Sequence, residues 1–197
     1  MNYHQGYGRN YDGPGRGSFQ HRNHRDGDSV DYKSLRDAFL AGNFSQVRKT
    51  NLKSATRALA SLYNEVKEKA KEFPKWSNKD IITNAAIVAA YAVAKDLRTT
   101  QIRKIIEMAK NLHTSTRMYN SREEDIRSRI SSEALRMNML MAYYAGKNRS
   151  VLSLQEVLEP ILSWLSKEEN ATPENFEKVY TFFEAIVAYH RYFGGKE

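Results

Sequence analysis

A chain of 197 residues with no cysteine can form no disulfide, offers no thiol nucleophile and holds no cysteine-ligated metal. Its 31 Lys and Arg outnumber 23 Asp and Glu, for a net charge of +8. The excess is uneven: residues 29–150 carry 23 basic and 12 acidic groups, while residues 151–197 carry four and eight. A polyanion suits such a field, and a merely soluble lysine-rich surface is the competing explanation.

Residues 1–28 contain six of the ten glycines among Asn, Arg, His and Tyr. So little apolar surface cannot offset the entropy of ordering, and this stretch is expected to be a disordered tail. Its GYGRNYDGPGRG run mixes Arg and Tyr with Gly as RGG-like segments do, but the match is poor. Residues 29–197 are of a size for a single helical domain. Asp31–Ala41 reads as a short helix stopped by Gly42. A longer helix is expected from about Ser45 to Phe73, with Leu52, Ala55, Leu59, Leu62 and Val66 on its apolar face and Pro74 at its end.

Ser77 and Asp80 have the spacing of a capping box and open an Ala-rich helix to about Asp96. Its run IITNAAIVAAYAVA is too short to cross a bilayer and reads as a core helix. With no secretory signal visible, a cytoplasmic protein is expected. After a break at Leu97–Arg98, Thr99 and Thr100 can cap the next helix. Ile102, Ile105, Ile106, Ala109 and Leu112 fall within about 120° of one another on it.

A further helix should run from Ser121 or Arg122 to Tyr144, with Gly146 ending it. Ser153 starts the next, in which Pro160 should produce a kink or a split. Thr172 and Pro173 mark the start of the last helix, and Gly194-Gly195 its stop. The expected fold is all-α: a compact bundle of six or seven helices.

Catalytic patterns are scarce. HExxH, paired ExxH, phosphate-binding glycine loops and GxGxxG are all absent. His113 and His190 fall on apolar helix faces, where a hydrogen-bonded core role is expected. The Glu123-Glu124-Asp125 cluster opens a helix and suits its dipole better than a metal. The chain reads as a non-enzyme without a cofactor.

Two basic rows remain. Lys49, Lys53 and Arg57 recur at i, i+4, i+8, and Arg103, Lys110 and Arg117 recur every seven residues with Lys104 further round. Such rows contact phosphates and give affinity without reading sequence. Arg103 is the strongest candidate, because its stem can pack at the edge of the apolar stripe while the guanidinium reaches out.

LRTTQIRKIIEMAK at 97–110 resembles a segment of the small subunit of the type III-A CRISPR effector, the Csm complex. MLMAYYAGKNRSVLSLQEVLEPIL at 139–162 and FEKVYTFFEAIVAYHRYFGGK at 176–196 resemble two further parts of that family, in order. The resemblance is weaker over 29–96 and does not cover the tail. It implies a helical, non-catalytic subunit, several copies of which stack beside the guide-holding subunits and line the groove for guide RNA and target RNA. It also adds Lys147 and Arg149, beside a step that resembles the family's AGK/AGR. The expected RNA contacts are Lys53, Arg57, Arg103, Lys104, Lys110, Lys147 and Arg149. The expected partners are guide and target RNA, other effector subunits and neighbouring copies, with no membrane. The alternative is a free-standing basic adaptor or a general single-stranded RNA-binding protein.

Overall fold

The computed structural model describes residues 31–118 and 122–197, except for the side chains of Lys104, Ile105, Met108, Leu112 and residues 115–118. The expected tail, Arg117 and Lys104 therefore lie, wholly or in their side chains, outside the described residues. Those described are all-helical, with no strand. Eight α-helices run in order: α1 Tyr32–Leu40, α2 Phe44–Lys49, α3 Thr56–Lys69, α4 Asn78–Ala94, α5 Thr99–Met118, α6 Glu123–Lys147, α7 Leu152–Leu165 and α8 Pro173–Tyr192. Three short 3-10 segments lie at Ala70–Lys75, Arg149–Val151 and Glu168–Asn170.

The helix count exceeds six or seven because the expected 45–73 helix is broken. Thr50 takes an extended conformation (ψ 139°), and the Asn51 side chain accepts from the amides of Lys53 and Ser54 at 3.1 and 3.3 Å. That side chain offers the backbone an alternative to the helix. Val47, Leu52, Ala55 and Leu59 are nevertheless all buried, so the apolar spacing persists through the break. Lys49, Lys53 and Arg57 consequently do not share one helix face: they sit at the end of α2, in the turn and in the first turn of α3.

α4 is the central element. Ile81, Thr83, residues 85–90, Ala92 and Ala94 are all buried, the pattern of a helix surrounded by others. It packs along α8 and α3, α8 also packs on α5, and α6 packs on α7. The alanines let these neighbours approach closely. Two aromatic groups fasten the ends. Phe73, Trp76 and Phe182 meet at 5.1–5.8 Å between ring centroids, while Phe39 contacts Phe193 and Phe44 contacts Tyr189.

Local chemistry sets most helix ends. Asp31, Ser77 and Thr172 accept amides as N-caps, and Ser77–Asp80 closes a complete capping box. Gly42 (φ 71°) and Gly194 (φ 86°) occupy the left-handed position past α1 and α8. At both ends the amide pair Asn43→Ala38 with Gly42→Phe39, and Gly195→His190 with Gly194→Arg191, completes a Schellman motif. Gly146 departs from expectation. It lies inside α6, which runs on to Lys147 and is stopped by Asn148 in an extended conformation. Pro160 does not split α7, which stays one element from Leu152. The Glu156 carbonyl that loses its partner belongs to a half-buried residue near the surface.

Opposite outcomes are expected for two glycines. A Cβ at Gly146 meets nothing within 4 Å, so Gly146→Ala should stabilise the fold by about 0.5–1 kcal/mol. A Cβ at Gly195 would run into the His190 ring, so Gly195→Ala should destabilise it by about 1–3 kcal/mol. Urea unfolding checks both; a destabilising Gly146→Ala would mean that Gly146 acts as a helix stop after all.

Candidate nucleic-acid interface

α4 ends without glycine. Asp96 takes the left-handed conformation (φ 56°), and the amides of Asp96 and Leu97 bond to Val93 and Ala92 at 3.0 Å each, a Schellman motif with Asp in glycine's place. Its carboxylate faces outward and pairs with Lys53 Nζ at 2.8 Å. The hydrogen bond from Lys53 holds the Asp96 carboxyl below its ordinary range. Lys53, from the turn before α3, thereby lies against the α4–α5 connection.

The first turn of α5 departs from the expected cap. Thr99 is buried, its amide donates to the Lys196 carbonyl at 2.8 Å, and its hydroxyl lies 3.4 Å from the Gly195 carbonyl. Gln101 instead reaches back to the Arg98 amide at 3.1 Å, half of a capping box. His190, fully buried on α8, fastens the same place. Its Nε2 lies 2.9 Å from the Leu97 carbonyl and must donate to it, since a carbonyl only accepts. The other ring nitrogen lies 3.5 Å from Thr99 Oγ1. Burial pushes the His190 pKa below its ordinary value.

The connection between α6 and α7 adjoins this turn. Asn148 Oδ1 accepts from the Ser150 amide and hydroxyl at 3.0 and 2.7 Å, and Ser150 Oγ lies 3.4 Å from Gln101 Oε1. Between α4 and α7 opens a cleft of about 380 Å³ lined by Tyr91, Lys95, Arg149, Ser150, Leu152, Ser153 and Glu156.

Of the residues expected to touch RNA, Lys53, Arg103 and Arg149 stand on elements joined at this end of the bundle. Arg103 is about half exposed, and its guanidinium meets Glu197 at 3.3 Å, with Arg191 on the same carboxylate at 3.7 Å. Ile102 and Ala109 are buried and Ile106 is half-buried, so Arg103 does border an apolar stripe. Lys147 lies over the Tyr143 ring, 4.5 Å from its centroid. Arg57 and Lys110 are exposed, without an ion pair among the described residues. The side chain of Lys104 lies outside those described.

Lys95, Arg98 and Lys196, all exposed at the same place, were not among the expected residues. Lys95 closes α4, where a cation also suits the helix dipole. Of the two helix-face histidines, His190 takes the buried, hydrogen-bonded place expected of it, whereas His113 is hydrogen-bonded but not fully buried. His113 is mostly covered, stacks on Tyr180 with ring centroids 4.2 Å apart and meets Glu177 at 2.7 Å. Among the described residues no three His, Asp or Glu are placed to hold a metal ion, and no helix is long and apolar enough to cross a membrane.

The buried His190 makes stability depend on pH. Unfolded, it titrates near its ordinary value of 6.5; folded, it takes up a proton only at lower pH. The unfolded state therefore binds more protons as pH falls below that value, and stability is lost in that direction. Unfolding free energies between about pH 7 and 5.5 should decline more steeply for the native chain than for His190→Gln. Equal slopes would contradict a neutral buried ring.

A comparison with curated proteins finds no match. Residues 75–196 match the family model described as Csm2 Type III-A. The match begins ahead of α4 and takes in α4 to α8, including the α4–α5 turn, the Arg149 turn and the His190 contact. It covers more than half of the chain, which therefore belongs to the Csm2 Type III-A family, the small subunit of the type III-A CRISPR effector complex.

Proposed function

We propose that this chain is a non-catalytic small subunit that holds guide and target RNA by the phosphate backbone, as part of antiviral defence in the cytoplasm. Residues 29–197 act as one helical domain, and copies stack beside one another and against other effector subunits. The observation that carries this reading is the convergence of exposed cations at one end of the bundle. Lys53, Lys95, Arg98, Arg103, Arg149 and Lys196 come from four separate stretches of chain, tied together by the contacts of Asp96, Gln101 and His190. A surface built this way suits a backbone rather than a base edge, and its binding should be strongly salt-dependent.

The acids nearby do not bar phosphate. Asp96 and Glu197 form exposed pairs with Lys53 and with Arg103, and solvent screening leaves such pairs weak. A phosphate that brings bidentate geometry to Arg103 competes well against that. Assembly has a surface of its own. Leu135, Met139 and Tyr143 recur every four residues on α6 and are each more than half exposed, apolar area of the kind that an assembling subunit covers. The acidic last section and the basic front give stacked copies unlike faces.

Arg103→Glu is the direct test. It should weaken binding of single-stranded RNA about tenfold, about 1.4 kcal/mol, and leave the helical circular-dichroism signal intact. Unchanged affinity at low salt, with the fold retained, would remove Arg103 from the interface.

A further inference from the structure

We propose that the cleft between the end of α4 and the start of α7 is a subsite for one phosphodiester of single-stranded RNA, with Lys95 and Arg149 as its cations. The inference rests on the reading that this end of the bundle faces RNA, and places two of its cations, Lys95 and Arg149, together in one concave site.

Four features of the cleft point this way. It is concave, with a volume of about 380 Å³, within the range of small-molecule sites. Its two cations come from different elements: Lys95 caps α4, and Arg149 opens the 3-10 turn before α7. Both are exposed, and neither forms an ion pair with an acid among the described residues. This contrasts with Lys53, Lys67 and Arg103, each of which has a carboxylate.

The third feature is the one acid in the wall. Glu156 is already engaged, with Oε1 3.2 Å from Lys67 Nζ and Oε2 2.9 Å from the Tyr63 hydroxyl. The cleft thus keeps a positive balance. Fourth, its wall is preorganised. Tyr91 stacks on the buried Tyr63 at 4.3 Å between centroids, and Lys95 Nζ lies 5.5 Å from the Tyr91 ring centre. The serines are not free donors: Ser150 Oγ bonds to Asn148 Oδ1 at 2.7 Å, and Ser153 Oγ donates to the Ser150 carbonyl at 3.1 Å. That leaves the ammonium and guanidinium groups to bind an anionic oxygen.

A free nucleotide shares this phosphate chemistry, so the experiment separates the two sources. Anisotropy of a fluorescein-labelled oligouridine RNA is titrated with the full chain over a salt series. Lys95→Gln and Arg149→Gln are compared with Lys71→Gln, an exposed lysine on the Ala70–Lys75 segment. Circular dichroism confirms that each variant is folded. Each cleft variant should weaken binding about fivefold and flatten the slope of log affinity against log salt by about 0.7. Lys71→Gln should do neither.

If Lys95→Gln behaves like Lys71→Gln while Arg103→Glu still weakens binding, the cleft is not a subsite and the wider RNA reading stands. If the native chain does not bind the RNA, or no variant including Arg103→Glu alters binding, both readings fall. AMP binding that depends on Lys95, with RNA binding indifferent to Lys95, reassigns the cleft to free nucleotides and overturns the proposal.

Discussion

A neutral imidazole buried between distant segments governs the geometry of the basic end. His190 near the end of α8 donates to the Leu97 carbonyl, 93 residues earlier in the chain, and its ring fills the space beside Gly195. That single side chain locates the α4–α5 turn against the end of the last helix. Thr99, bonded to Lys196, closes the same contact from the other side. A charged imidazolium would be costly there, because the site is buried and no acid meets its ring among the described contacts. The candidate interface is thus positioned by a buried, hydrogen-bonded contact rather than by its exposed charges.

This division of labour fits the energetics. Exposed ion pairs add little to stability, and under the proposed function they are also the groups that an RNA backbone would displace. Phe39, Phe73 and Phe182 are fully buried, and truncating any one of them would cost about 3–5 kcal/mol. Fold and function can then vary separately: cations can be exchanged with little harm to the bundle, whereas the glycine and histidine that seat them cannot.

Much of the fold was legible because its signals are local. Asp31, Ser77 and Thr172 cap with their own side chains, and Gly42 and Gly194 supply a conformation that other residues adopt reluctantly. The signals failed where a local pattern had two solutions. The apolar spacing of Val47, Leu52, Ala55 and Leu59 suits one helix, yet Asn51 takes two amides for a turn and those residues still reach the core. Asp96 ends α4 in the left-handed conformation usually left to glycine, and Gly146, a glycine in the expected stopping place, stays helical. The candidate interface was legible only in part. Rows along single helices are visible in sequence, but a cluster that depends on Lys53 meeting Asp96 and Ser150 approaching Gln101 arises from tertiary packing. Lys95 and Arg98 belong to that second kind.

The central claim is that this end of the bundle, built around the His190 contact, is the surface that faces RNA. Ultraviolet crosslinking of the assembled effector on its guide and target RNA, followed by mass spectrometry of the crosslinked peptides, tests it most directly. RNA-linked peptides from this chain should concentrate at residues 91–104 and 147–156. Crosslinks confined to the 1–28 tail or to the far half of α5 beyond Lys110, with none at the α4–α5 turn or the Arg149 turn, would contradict it.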